Sequence, residues 1–175
     1  MAAPLRAAVL TVSDSVAEGH RADESGPAVR KILEASGWQV SVAEVLPDDF
    51  PLLRERLLAL VSGGQIDLIL TTGGTGLGAR DITPEATSAV MERSLPGVAE
   101  SMRRVGAAKT PFAVLSRALA GVSRKTVIVN LPGSPKGARD SLNAILEVLP
   151  HAVKVIHGVE SHSDTGEPTD TAETA

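Results

Sequence analysis

Three short apolar runs frame this chain. Ala7-Ala8-Val9-Leu10-Thr11-Val12 stops at Ser13-Asp14-Ser15, Asp67-Leu68-Ile69-Leu70-Thr71-Thr72 stops at Gly73-Gly74, and Thr126-Val127-Ile128-Val129-Asn130-Leu131 stops at Pro132-Gly133-Ser134. Runs of this length, closed by turn-forming residues, are those of strands buried on both faces of a sheet. A fourth stretch, Gln39–Val45, alternates apolar with polar and belongs nearer a sheet edge.

Helical spacing fills the gaps. Val29, Ile32 and Leu33 recur at i, i+3 and i+4 after Ser25-Gly26-Pro27, and Gly37 stands where a left-handed C-terminal cap belongs. Leu53, Leu57, Leu60 and Val61 mark a second helix, with Pro51 in its first turn and Asp48 or Asp49 as its cap. Thr83-Pro84-Glu85 opens a third, with a hydroxyl cap, a proline at the first helical position and a carboxylate near the positive helix end. Ser134-Pro135 repeats the pattern ahead of Leu142, Ile145, Leu146 and Leu149. Between these, Pro96–Val105 reads as a helix and Pro111–Leu115 as a short strand. The resulting β-α-β-α-β order predicts a three-layer α/β sandwich around a mostly parallel central sheet. Residues 1–160 are read as one domain. Ser161–Ala175 is polar and acidic with almost nothing apolar to bury, and is expected to be a disordered tail.

Composition narrows the function classes. The 175 residues carry 17 Lys+Arg against 21 Asp+Glu, a net charge of −4, with one Trp, two Phe and no Cys. An acidic balance without a basic cluster, and so few rings to stack on bases, argues against nucleic acid as partner. Without Cys there is no disulfide, thiolate nucleophile or sulfur-bound metal, which suits a cytoplasmic protein. The apolar stretch after Arg6 is too short for a signal-peptide core, and no run approaches a membrane span.

The candidate chemistry lies at the ends of the three apolar strands. Gly73, Gly74, Gly76 and Gly78 follow a buried strand directly, so backbone N–H groups there can turn toward one point, with Thr72 and Thr75 hydroxyls beside them. That is how a chain holds phosphate oxygens; tight turning alone is the plainer explanation. The glycines do not open a helix, as dinucleotide binding requires, and no Lys follows them, which excludes a Walker-type loop. Asn130, Pro132, Gly133 and Ser134 form a second turn at the same sheet edge, where open α/β sheets bind ligands, although Asn130 also suits a turn and Ser134 a helix cap. Ser13, in the Ser13-Asp14-Ser15 turn that closes the first strand, is placed to reach the same edge, although a plain Asx-turn explains these residues equally well. Asp48 and Asp81 sit in turns ahead of helices, as caps or partners of Arg80, or as carboxylates that hold Mg²⁺ or orient a substrate amide. Ser116-Arg117 offers a hydroxyl and a guanidinium to phosphate, or is ordinary surface. His20, His151, His157 and His162 show no metal-ligand spacing, and a G-x-S-x-G elbow is absent.

Taken in order, Thr71-Thr72-Gly-Gly-Thr-Gly, Arg80-Asp81-Ile-Thr-Pro-Glu-Ala-Thr87, Leu115-Ser-Arg117 and Asn130-Leu-Pro-Gly-Ser-Pro-Lys136 resemble the MogA/MoaB family of molybdenum cofactor biosynthesis. Val12-Ser-Asp14, Asp23-Glu-Ser-Gly26 and Pro47-Asp48 agree with it, and the resemblance spans about residues 5–158. Within that family the chain is more similar to the Mog proteins and the matching domain of gephyrin. The resemblance implies a molybdopterin adenylyltransferase that uses ATP and Mg²⁺ to place AMP on the terminal phosphate of molybdopterin, releasing pyrophosphate. It further implies a homotrimer and a transient contact with the molybdenum insertion enzyme. By motif, Asp48 and Asp81 match the aspartates of molybdopterin binding and catalysis. Gly73–Gly76, Ser116 and Asn130–Ser134 would line the crevice. A MoaB-like molybdopterin-binding protein without transfer activity is the rival expectation.

Overall fold

The computed structural model describes residues 4–158. The tail expected from Ser161 therefore lies outside the described residues. Six strands, β1 (Arg6–Val12), β2 (Gln39–Leu46), β3 (Leu68–Thr72), β4 (Arg93–Ser94), β5 (Ala120–Ser123) and β6 (Thr126–Leu131), form one sheet in the order β2-β1-β3-β6-β5-β4. The first four in that order run parallel, while β5 and β4 run antiparallel at the far edge. The three apolar runs are the adjacent central strands β1, β3 and β6. The alternating stretch is the edge strand β2, as its half-buried pattern requires.

Successive side chains of a strand point to opposite faces, and the core divides accordingly. Ala7, Val9, Leu68, Leu70, Val127 and Val129 pack against α2 (Ser25–Ala35), α5 (Pro96–Ala107), α6 (Pro135–Ile145) and α7 (Leu149–Ile156). Ala8, Leu10, Val12, Ile69 and Ile128 pack against α3 (Phe50–Ser62) and α4 (Thr83–Ser88). A single turn, α1 (Asp14–Ala17), follows β1, with Ser13 as its cap. The three-layer expectation holds. The chain passes from β1 to β2 on one side and then to β3 on the other. A crevice thus opens at the carboxyl ends of β1 and β3, where such sheets bind ligands.

Three local expectations are corrected. Pro111–Leu115 is a 3-10 helix, not a strand: all five residues are at least partly exposed, and they turn back under α5. β5 takes the sheet position instead. Its Gly121 is required because a side chain there would collide with Met91 and with Arg93 O. The helix after Ser134 is two helices, broken at Leu146–Val148 between α6 and α7. Of the two cap candidates for α3, Asp49 is the one used, accepting from Leu52 N at 2.9 Å. Finally, Thr83 does not cap α4, whose cap residue is Ile82 and has no side-chain bond. Gly37 has φ +84°, the left-handed conformation expected past α2.

Candidate functional site

Strand register builds the site. Val12 pairs with Leu46, Thr11 with Thr72, and Thr72 with Leu131, so the turns after β1, β2, β3 and β6 emerge in one row. The two glycine-containing turns are fastened together there. Gly73 N donates to Leu131 O at 3.1 Å, and Thr72 Oγ1 donates to Pro132 O at 2.7 Å. The Thr72 hydroxyl proton is thereby spent on the second turn and is not a phosphate donor. Gly73, at φ +107°, has no room for a side chain, which would overlap Val12 O. Gly133 abuts it from the other side, since a carbon on Gly133 would lie 3.2 Å from Gly73 Cα.

Two cavities open along this row. One, of about 440 Å³, lies at the ends of β1 and β3 and is lined by Ser13, Arg21, Asp48, Thr72, Gly73, Gly74, Asp81, Gly133 and Ser134. The other, of about 510 Å³, has mostly apolar walls from α5, the 3-10 helix and the start of α6, and includes Thr75, Gly76, Met102, Phe112, Ser116, Pro132 and Ser134. Ser134 borders both, while also capping α6 through Gly137 N at 3.1 Å.

The acidic side chains are held individually. Asp14 and Asp48 exchange bonds, Asp14 N donating to Asp48 Oδ2 and Asp48 N to Asp14 Oδ1, each at 2.9 Å. Arg80 forks onto Asp14, with Nε at 3.0 Å and Nη2 at 2.7 Å from Oδ2. Its partner is therefore neither Asp48 nor Asp81. Desolvation pushes the Asp48 carboxyl above its ordinary value, and the charges of Asp14 and Asp81 push the same way. The Arg80 guanidinium holds Asp14 below its ordinary value. Asp81 Oδ2 accepts from Gly78 N at 2.7 Å, and carbons added at Gly76 or Gly78 would press on that oxygen at 2.9 and 2.8 Å.

Arg117 proves to be neither a phosphate ligand nor ordinary surface. Its Nε donates to Gly76 O at 2.7 Å, Nη2 to Asp81 O at 2.7 Å, and Nη1 pairs with Glu85, whose carboxyl it holds below its ordinary value. Its backbone N donates to Thr75 O at 3.0 Å. One side chain thus staples the glycine loop to the Asp81 turn and to α4.

The structure does not bring Asn130 to the crevice. It is 0% exposed, and Nδ2 donates to Thr71 Oγ1 at 3.0 Å and Thr87 Oγ1 at 2.8 Å while Oδ1 accepts from Leu119 N at 3.2 Å. Leu131, in the same expected stretch, is also 0% exposed and borders neither cavity, whereas Ser13, Asp48, Thr72–Gly76, Asp81, Ser116 and Pro132–Ser134 border one or both. Sequence reading missed Arg21 in the first cavity, and Arg103 and Lys109 in the second. No pattern marks them, because they are single basic residues brought in by the α1–α2 connection and by α5 and the loop after it.

Asp48 and Asp81 supply hard carboxylate oxygens to one cavity, and no group of three or more acidic or histidine side chains suited to a metal exists among the described residues. That donor set fits Mg²⁺, which takes one or two carboxylates and fills its shell with water and phosphate oxygens. It does not fit a metal needing a closed protein cage.

Residues 8–151 match the model of a family described as a probable molybdopterin binding domain. The chain belongs to that family. A molybdopterin adenylyltransferase of Helicobacter pylori is 40% identical over 154 residues, covering 86% of each chain. Among solved structures, the molybdopterin biosynthesis enzyme MoaB of Thermus thermophilus superposes with TM-score 0.83 at 49% identity, covering 88% of this chain and 97% of that one. The molybdopterin biosynthesis Mog protein of Mycobacterium ulcerans gives 0.82 at 40% identity, covering 90% and 99%. In this molybdopterin binding domain the matched region contains the whole of both cavities' glycine and aspartate lining. Among the described residues no helix is long and apolar enough to cross a membrane.

Proposed function

We propose that this chain is a molybdopterin adenylyltransferase, transferring AMP from Mg-ATP to the terminal phosphate of molybdopterin with release of pyrophosphate. The observation that carries the reading is the meeting of two unlike cavities at Ser134, one walled by glycine turns and carboxylates, the other mostly apolar. A phosphate chain suits the first and a planar ring the second. The names of relatives at 34–40% identity support the same activity.

The chemistry asks little of the side chains as acids or bases. An ionised oxygen of the molybdopterin phosphate attacks the α-phosphorus of ATP, a new P–O bond forms, and the bond to the β-phosphate oxygen breaks, releasing pyrophosphate. No proton has to move, so the scattered histidines are not missed. What the reaction needs is in-line placement and control of charge. The Gly73–Gly74 turn lets phosphate oxygens approach the backbone, and Arg21 adds positive charge at the same wall. Asp48 and Asp81 would hold Mg²⁺, which when bound neutralises the triphosphate charge. The Asp14–Asp48 exchange and the Arg117 staple keep these carboxylates fixed relative to the loop.

Incubation with molybdopterin, ATP and Mg²⁺, followed by chromatography, is expected to yield adenylylated molybdopterin and pyrophosphate. Retained pterin binding with no such product would establish the binding-protein reading instead. We also infer a homotrimer. It is supported by the resemblance. Sedimentation as a monomer across the micromolar range would overturn it.

A further inference from the structure

Thr83 is 0% exposed, and its hydroxyl is the buried side-chain oxygen without a hydrogen-bond partner among the described residues. Such a group destabilises the folded chain relative to a valine of the same shape. The backbone does not account for it: Thr83 N donates to Gly74 O at 3.1 Å, a bond valine would make equally well.

The hydroxyl sits directly over Gly74. A side-chain carbon on Gly74 would overlap Thr83 Oγ1 and lie 3.1 Å from Asp48 Oδ1, and Gly74 has φ +63°, a conformation that favours glycine. The missing side chain at Gly74 is thus what lets a donor without an acceptor and a carboxylate oxygen both crowd over this residue. Asp48 Oδ2 accepts from Asp14 N, which leaves Oδ1 as the carboxylate oxygen that faces Gly74. Thr83 lines neither cavity, so its hydroxyl does not reach a ligand directly.

We propose that Thr83 is a positioning residue: its O–H, packed over Gly74, turns to donate to Asp48 Oδ1 when ligand fills the cavity, fixing that carboxylate toward the ligand. The inference rests on the transferase reading of Asp48. Desolvation, and after it the charges of Asp14 and Asp81, oppose an ionised Asp48, while the Asp14 N–H bond and, least, the Arg80 charge favour it, so a further donated hydrogen bond matters there.

The test compares wild type, Thr83→Val and Thr83→Ser in AMP transfer. Thr83→Val is expected to lower kcat about 10- to 100-fold, the loss of one hydrogen bond to a charged group. The KM for ATP and the melting temperature should not fall. Thr83→Ser, which keeps the donor, should restore kcat. Wild-type kcat in Thr83→Val would overturn the inference. So would a lowered kcat that serine does not rescue, which would make the role one of packing. A wild-type protein that transfers no AMP would sink the transferase reading itself. The Thr83 inference is then decided without turnover, by the Asp48 carboxyl ¹³C shift at one neutral pH with and without saturating ATP. An ATP-induced change that is lost in Thr83→Val and kept in Thr83→Ser supports it, and the same change in all three overturns it.

Discussion

Asp14 fixes Asp48 by a reciprocal exchange, in which each residue's backbone N–H donates to the other's carboxylate at 2.9 Å. Two turns separated by 34 residues in the chain are thereby locked at the mouth of the crevice, and Arg80 clamps the pair from outside. Asp14 is consequently more than a turn former, and its removal should reach the reaction through Asp48.

For Asp14→Ala, kcat is expected to fall about tenfold, near the loss of one charge-assisted bond, with a smaller loss in Arg80→Gln. Asp14 sits below its ordinary pKa, so its stabilising contribution is present above the unfolded carboxylate range and disappears as pH falls through its folded value. Melting curves of wild type and Asp14→Ala should therefore converge in acid. Parallel curves would contradict the exchange.

Asp48→Asn should separate stability from activity. Its folded pKa is raised, so the stability associated with the protonated group is present below the unfolded value and is lost as pH rises through the folded value. Asparagine keeps an oxygen for Asp14 N without the charge. The variant should melt at or above wild type at neutral pH, with the advantage shrinking in acid, while AMP transfer falls roughly 10²–10³-fold. A variant that melts lower and transfers normally would remove Asp48 from the site.

Gly74 and Gly76 should respond differently to substitution. Gly74→Val forces a β-branched residue to φ +63° against Thr83, so stability and binding should both suffer. Gly76 has an ordinary backbone, and Gly76→Ala presses only on Asp81 at 2.9 Å. Denaturant melts should show Gly76→Ala near wild type while its transfer rate drops. Full activity in Gly76→Ala would mean that the exact place of Asp81 is unimportant.

Asn130→Ala should be a folding defect. It leaves Thr71 and Thr87 hydroxyls and Leu119 N to find new partners in a buried site, at about 1–3 kcal/mol for each group left unpaired. Calorimetry should show a large loss of stability, and the folded fraction should retain its KM for ATP. A raised KM with unchanged melting would instead put Asn130 at the ligand.

The central strands were legible because a parallel sheet buried on both faces needs unbroken apolar runs, and β1, β3 and β6 have them. The edge strand was legible for the opposite reason. Pro111–Leu115 misled because a five-residue apolar run has the same appearance as a buried strand or an exposed turn packing on a helix. β5 escaped notice because Ala-Gly-Val-Ser has too little bulk to show a period. At the site, the glycine loops and aspartates announced themselves by position after strands. Asn130 and Arg117 did not reveal their work, since their partners lie across the fold: Thr87 is 43 residues from Asn130, and Gly76 is 41 from Arg117. Polar side chains that organise a site from within carry no local signature.

The junction at Ser134 bears on how a reaction here would end. A product that joins a nucleotide to a pterin through phosphates is held at both ends, one in each chamber. Either end, if it slips out, stays tethered close to its own pocket and returns before the other lets go. The joined molecule would then be retained longer than its separate parts, even where the making of its bond still sets the turnover rate. Such slow release favours passing an activated pterin directly to its next user over losing it to water.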